Sequence, residues 1–294
     1  MFYPVSTRRE PAEAPVRALV CLTPAESKRL IARAVTALPE VKHALQHGTI
    51  YLARGITNAF VLEELTGEKV EPRSHYAAGV IFDGELAAVP AGVRMQPVIL
   101  RQGKRLKIAP NEALADFTPA DIVIKGANCI DPQGNAGVFV AGDRGGTVGE
   151  VEPILQSRGS HLIVAAGLEK LIPSVERASW VCGIYHFKYS TGVPAAVIPL
   201  PNARVVTEIQ AFELLCGVCA VQVAAGGVAG SEGAVVLSLE GQAADIEKVM
   251  ALVKSVKGEP PVARPAARTV PPAAQFDLDA MKQWYTFYPP APPK

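Results

Sequence analysis

Three short runs, "TIYLA" at 49–53, "DIVIKGA" at 121–127 and "SHLIVAAG" at 160–167, constrain this chain most. Each is apolar almost throughout and does not alternate, the pattern of a strand covered on both faces. Helical segments separate them, and strands interleaved with helices call for a mostly parallel sheet flanked by helices, an α/β fold. At 294 residues, 49% hydrophobic, the chain has material for one large core or two modest ones.

The helices announce themselves by their ends. In "LTPAESKRLIARAVTALPEV" Thr23 suits an N-cap, Pro24 the first helical position, and Glu26 stands three after the cap, as in a capping box. Leu30, Ala34, Val35 and Leu38 then form one buried face. A second helix over 59–65 is closed by Gly67. Between 68 and 118, turns at Asp83-Gly84 and Gln102-Gly103 predict two hairpins in a β-rich insertion. "WVCGIYHF" and "AAVIPL" read as further short strands.

After Pro201 the pattern becomes strand, helix, strand, Gly-rich turn, strand, helix. The last helix, 243–256, carries Ile246, Val249, Met250 and Val253 on one face. The expected organisation is an N-terminal arm (1–20), an α/β ligand-binding domain (21–200), and a segment over 201–258 that is a small α+β module or completes the main domain. A Pro-rich tail follows (259–294). Nine prolines in that tail exclude a packed domain, yet "FDLDAMKQWYTFY" within it is aromatic enough to dock on its own subunit or a neighbour, so a homo-oligomer is expected.

Charge narrows the partners. Lys and Arg number 29 against 28 Asp and Glu, so no net field draws nucleic acid or anionic lipid. No run of about 18 apolar residues exists to span a bilayer. Five scattered cysteines and a polar, Pro-containing start fit a cytoplasmic protein with reduced thiols. The five histidines share no ligand spacing, since His43 and His47 form only a lone i,i+4 pair; neither metal nor cofactor is expected.

Three segments carry candidate chemistry. In "ARGITNAF", Gly55 admits close backbone approach, and Thr57 and Asn58 stand beside a helix N-terminus that attracts anions; an ordinary turn with Thr57 or Asn58 as cap is the plain alternative. In "IKGANCIDPQGNAG", Lys125, Gly126, Ala127 and Asn128 occupy a strand end, where open α/β sheets bind ligands. There Lys125 would neutralise a phosphate or carboxylate, Asn128 would orient it, and Asp131 is a turn-former, an acceptor or a base. In "GDRGGTVGEVEPIL", Gly145 and Gly146 suit an anion nest near Arg144 and Thr147. Glu150 and Glu152 are candidate general bases, or acids placed on a solvated first turn by the helix dipole. A fourth motif, "CGVC" (Cys216 to Cys219), fits a redox pair by spacing, but it closes a helix, where the dipole disfavours a thiolate; buried small apolar residues are the plainer reading.

Taken together, residues 20–200 resemble the superfold of ribose-5-phosphate isomerase, glucosamine-6-phosphate deaminase and CoA-transferase, which also holds lactate-utilisation-type domains. "TIYLARGITNAFVLEEL" resembles its phosphate-binding strand, loop and helix. "DIVIKGANCIDPQGNAG" resembles its Asp-Gly-Ala-Asp strand end, and "GGTVGEVEPILQSRGSHLIVAAGLEKL" its Gly-rich turn, helix, strand and lysine. The resemblance implies that Lys170 contacts substrate. The chain departs from the isomerases in carrying Lys125 and Asn128 where they have two aspartates, and in lacking a cleanly aligned glutamate base. Such losses remove groups that handle protons in enediol chemistry, so the fold carries over more readily than the reaction.

The expected function is therefore binding of a small anionic metabolite (a phosphorylated sugar, a nucleotide or a CoA-like molecule) at strand C-terminal ends. Isomerase- or transferase-like catalysis there would use Lys125, Asp131, Glu150 or Glu152, with Gly55, Thr57, Asn58, Gly126, Asn128, Gly145, Gly146 and Lys170 holding the ligand. Two other readings stand beside it: a regulatory or interaction protein on the same scaffold, and a thiol-redox protein built on Cys216 and Cys219.

Overall fold

A computed structural model describes residues 1–5, 15–82, 84–142 and 144–265. In chain order the elements are β1 (Val16–Leu22), α1 (Pro24–Ala37), α2 (Pro39–His47), β2 (Thr49–Leu52), α3 (Ile56–Thr66), β3 (Gly79–Phe82), β4 (Glu85–Ala88), β5 (Val98–Arg101), β6 (Lys104–Leu106), α4 (Pro110–Ala115) and β7 (Ile122–Gly126). Then come β8 (Cys129–Ile130), β9 (Ala136–Val140), α5 (Gly146–Arg158), β10 (His161–Ala165), α6 (Val175–Val181), β11 (Ala196–Pro199), β12 (Arg204–Val206), α7 (Glu208–Cys216), β13 (Cys219–Gly226), β14 (Ala234–Gly241) and α8 (Ala243–Val256).

The central sheet has the order β12-β10-β7-β2-β5-β6. Its first four strands are parallel, and β5 and β6 add an antiparallel edge. Buried on both faces, β2 and β7 have no polar side to show, which is why their runs read as continuously apolar. The molecule is thus mixed α/β, with a mostly parallel sheet flanked by helices. Three small antiparallel sheets surround it: β1-β14-β13, β11-β9-β8, and the hairpin β3-β4.

Local signals explain the element ends. Thr23 caps α1 with the full reciprocal box: its side chain accepts from Glu26 N, and Glu26 Oε2 accepts from Thr23 N at 2.9 Å. Leu30, Ala34, Val35 and Leu38 are buried. Gly67 ends α3 in the left-handed conformation. Gln102 and Gly103 both take positive φ between β5 and β6, the twist a two-residue hairpin turn needs.

Several elements differ from the sequence expectation. Residues 16–22 form β1 and pair with β14, so the expected arm boundary at residue 20 falls inside a strand. At the start of the chain, the Met1 amino group donates to Ala203 O at 2.9 Å and Phe2 bridges Val205, extending the central sheet past β12. "WVCGIYHF" is not a strand: Ser174 caps α6, its side chain accepting from Arg177 N, and that start signal overrides the β-prone side chains after it. On α8, Ile246, Val249, Val253 and Val256 are buried, whereas Met250 is half exposed. The 201–258 segment is divided in use, with β12 joining the central sheet and β13 and β14 pairing beside β1, and all of it shares one hydrophobic core with the rest. The aromatic segment of the tail lies outside the described residues. Among the described residues, no helix is long and apolar enough to cross a membrane.

Candidate functional site

The C-terminal ends of β2, β7 and β10 point to one side of the central sheet, and a cleft of about 640 Å³ opens there. Volumes of this order hold small metabolites. Three separate stretches of chain supply much of its polar lining: Arg54, Gly55 and Thr57 after β2; Lys125 to Asn128 at the end of β7; and Gly145, Gly146, Thr147 and Glu150 at the start of α5; Arg94, Gln96 and Asn111 add to it. Lys170, on a 3-10 turn after β10, reaches the same cleft. The hairpin β3-β4 closes one side with Ile81, Leu86 and Ala88, and is itself fastened to the 191–193 loop by Leu86 N to Thr191 O (3.0 Å) and Val193 N to Leu86 O (2.7 Å).

Two helices begin at this cleft. Gly55 is the N-cap of α3 and Gly145 that of α5, and neither helix has a side-chain cap. The N-cap amides are taken, Gly55 N by Tyr76 O at 2.7 Å and Gly145 N by Gly142 O at 3.1 Å, but the amides that follow them in each first turn have no side-chain cap, and the positive dipole ends face the same space. Gly145 (φ 77°) and Gly146 (φ 52°) lie in the left-handed region, which a side chain adopts only with strain. Gly149 is required sterically, because a Cβ there would fall 1.9 Å from Arg144 O.

The cleft's cations are not neutralised by its acids. Lys125 is buried, and among the described residues its ammonium has neither a hydrogen-bond nor an ion-pair partner. Burial first, then the neighbouring Arg54 and Lys170 charges, push it down to about 8. Lys170 Nζ donates to Ala127 O at 2.7 Å. It too is pushed down to about 8, by burial and by Lys28, against the opposing pull of Glu169 and Glu208. Glu150 is the one acidic side chain among the described lining residues, and it is exposed. Thr57 Oγ1 is buried with no hydrogen-bond partner among the described residues. Behind Lys170, Lys28 pairs with Glu169 at 2.7 Å, and the buried Glu208 accepts from Leu168 N at 2.9 Å. These contacts fix the turn that presents Lys170.

Three candidate residues stand elsewhere. Asn58 is fully buried; its Nδ2 donates to Ala53 O (2.7 Å) and Ile124 O (3.0 Å), lacing β2 to β7 below the cleft. Asp131 is a turn-former. It accepts from Gln133 N, Asn135 N, Asn135 Nδ2 and Val175 N, all at 3.0–3.1 Å, and against the upward push of burial these bonds hold its carboxyl below the ordinary range. Glu152 lies two residues beyond Glu150, so the helical turn carries it to the opposite face. There it accepts from Gln156 Nε2 at 3.2 Å, with its other oxygen unpaired and its acidity weakened by burial.

Asn128 lines the cleft, but its amide donates to Gly137 O and its Oδ1 accepts from Phe139 N, so only its Nδ2 remains for a ligand. Arg144 is exposed and outside the lining. Arg54 was absent from the sequence reading, although its signal resembles that of Lys125: a basic residue at the end of an apolar run. The β3-β4 wall had no sequence signal tying it to the cleft.

Cys216 ends α7 and is buried, which pushes its thiol up, while Cys219 opens β13 and is exposed; both are free. Among the described residues, no group of three or more His, Cys, Asp or Glu is placed to hold a metal ion. No family model, curated protein or solved structure matches this chain.

Proposed function

We propose that this cleft binds a small metabolite bearing a phosphoryl or carboxylate group, in the manner of the sugar-phosphate isomerase and CoA-transferase superfold. One observation carries the reading: a buried, unpartnered Lys125 ammonium beside Arg54 and Lys170, where two uncapped helix N-termini meet. Holding like charges together out of water is costly unless an anion joins them. The first-turn amides of α3 and α5 add donors that a phosphoryl group's several oxygens can use together. The apolar wall of Ile81, Leu86 and Phe139 accepts the remainder of the molecule.

Isothermal titration calorimetry with inorganic pyrophosphate, ribose 5-phosphate, ADP and coenzyme A tests the proposal. At least one of these binds, and Arg54→Ala and Lys125→Ala each weaken it by about 10- to 100-fold, the value of a charge-assisted hydrogen bond. Equal affinity in wild type and both variants would overturn it. A second reading, an interaction protein on the same scaffold, draws on Leu19, Val221 and Val223, exposed on one face of the β1-β14-β13 sheet. In that case a second copy covers the face, and Leu19→Lys lowers the mass seen by analytical ultracentrifugation; an unchanged mass would end that reading.

A further inference from the structure

The amines around the cleft are not equivalent. Lys170 Nζ is tied to Ala127 O, and Lys28 Nζ to Glu169 and Pro24 O. Lys125 Nζ has no such bond among the described residues. Its stem rises from the apolar centre of the sheet, since Lys125 pairs with Val164 across β7 and β10, and its end opens only to the cleft. A lysine in an apolar site beside other cations is the arrangement that turns an ammonium into a nucleophilic amine.

We infer that Lys125 condenses with the carbonyl carbon of an anionic aldehyde or ketone to form an imine, while Arg54, Lys170 and the α5 amides hold the anionic group. The inference rests on the cleft being the anion site proposed above. In the step, the Nζ lone pair attacks the carbonyl carbon, a C–N bond forms, and the C=O pair moves to oxygen, which takes a proton. The resulting carbinolamine loses that oxygen as water as the second C–N bond forms. Both hydrogens of the neutral amine leave in the water, nothing is oxidised or reduced, and no co-reactant is needed. Glu150, the acidic side chain of the described lining, stands at the same cleft to carry the proton. With its pKa at about 8, Lys125 holds about a tenth of its population as free amine at pH 7, against well under a thousandth for an ordinary lysine.

The test uses pyridoxal 5′-phosphate, a carbonyl compound carrying a phosphate, at one equivalent to the full chain, followed by borohydride reduction and peptide mapping. One pyridoxyl group is expected on Lys125, and excess pyrophosphate added before the reduction prevents it. The Lys125→Arg variant, which has no primary amine at this position, loses this label. Label spread over other lysines, or equal in wild type and variant, would overturn the inference. Pyrophosphate binding without label on Lys125 refutes the imine and leaves the anion site standing, whereas failure of the wild type to bind pyrophosphate, ribose 5-phosphate, ADP and coenzyme A alike removes both.

Discussion

Lys125 should make the folded protein less stable than it would be without the charge. Its pKa falls from 10.5 to about 8 on folding, chiefly through burial and then through Arg54 and Lys170. Each tenfold change in proton affinity is worth about 1.4 kcal/mol, so holding the ammonium in the cleft costs about 3 kcal/mol at neutral pH. The folded value lies below the unfolded one. The cost is therefore fully present below about pH 8 and vanishes as pH rises past 10.5, where both states hold the neutral amine. Lys125→Met keeps the length of the side chain and removes the charge. Urea unfolding should find this variant more stable by about 3 kcal/mol at pH 7, with a melting temperature about 6 °C higher for a chain of this size. The advantage should shrink to under about 1 kcal/mol at pH 10. The same variant should lose affinity for pyrophosphate, so that stability and binding move in opposite directions. An equal or less stable variant at pH 7 would refute the reasoning. So would a gain that does not change with pH, because apolar packing and not charge would then account for it.

Three other outcomes are expected. Gly145→Ala should destabilise by about 1–2 kcal/mol in denaturant unfolding, because its φ of 77° is strained for a side chain; unchanged stability would argue against the nest geometry at α5. Asn58→Ala should lower stability by about 2–3 kcal/mol, since it removes the side-chain donor to the buried Ala53 carbonyl and one of the two donors to Ile124 O, while affinity for pyrophosphate stays within about twofold; a selective loss of affinity would return Asn58 to the site. Glu63→Gln should cost about 3–5 kcal/mol, because Glu63 pairs with the mostly buried Arg29 and Arg73, which also pack on Phe60 and share Glu259. Burial pushes the Glu63 carboxyl up, but the two arginines and Val70 N hold it below the ordinary range. Its stabilisation is thus present above the unfolded carboxylate pKa and lost as pH falls through the folded one, which wild-type and Glu63→Gln melts compared between pH 7 and pH 3 will register.

How far the site could be read in advance differs by segment. Gly55, Thr57, Lys125, Gly126, Asn128, Gly145, Gly146, Glu150 and Lys170 all follow a strand end or open a helix, and all line the cleft. Asn58, Asp131 and Glu152 carry equally suggestive side chains, but hydrogen bonds or helical phase direct them elsewhere. A residue type and its neighbours in sequence do not say which backbone groups stand within 3 Å of it. That is why Asn58 read as a ligand donor when it serves as a clamp.

The sequence by itself determined the strands and helices whose signals are local: continuous apolar runs for β2 and β7, a reciprocal cap for α1, a left-handed glycine after α3. These follow from hydrogen-bond geometry and burial over a few residues. Only the tertiary structure decided which loops meet. The parallel order β10-β7-β2 brings residues 54, 125 and 170 to one rim, and the β3-β4 hairpin, remote in sequence from α5, walls the same space. It also decided that Lys125 stands without a partner among the described residues, because burial and mutual repulsion are sums over groups the chain brings together only on folding.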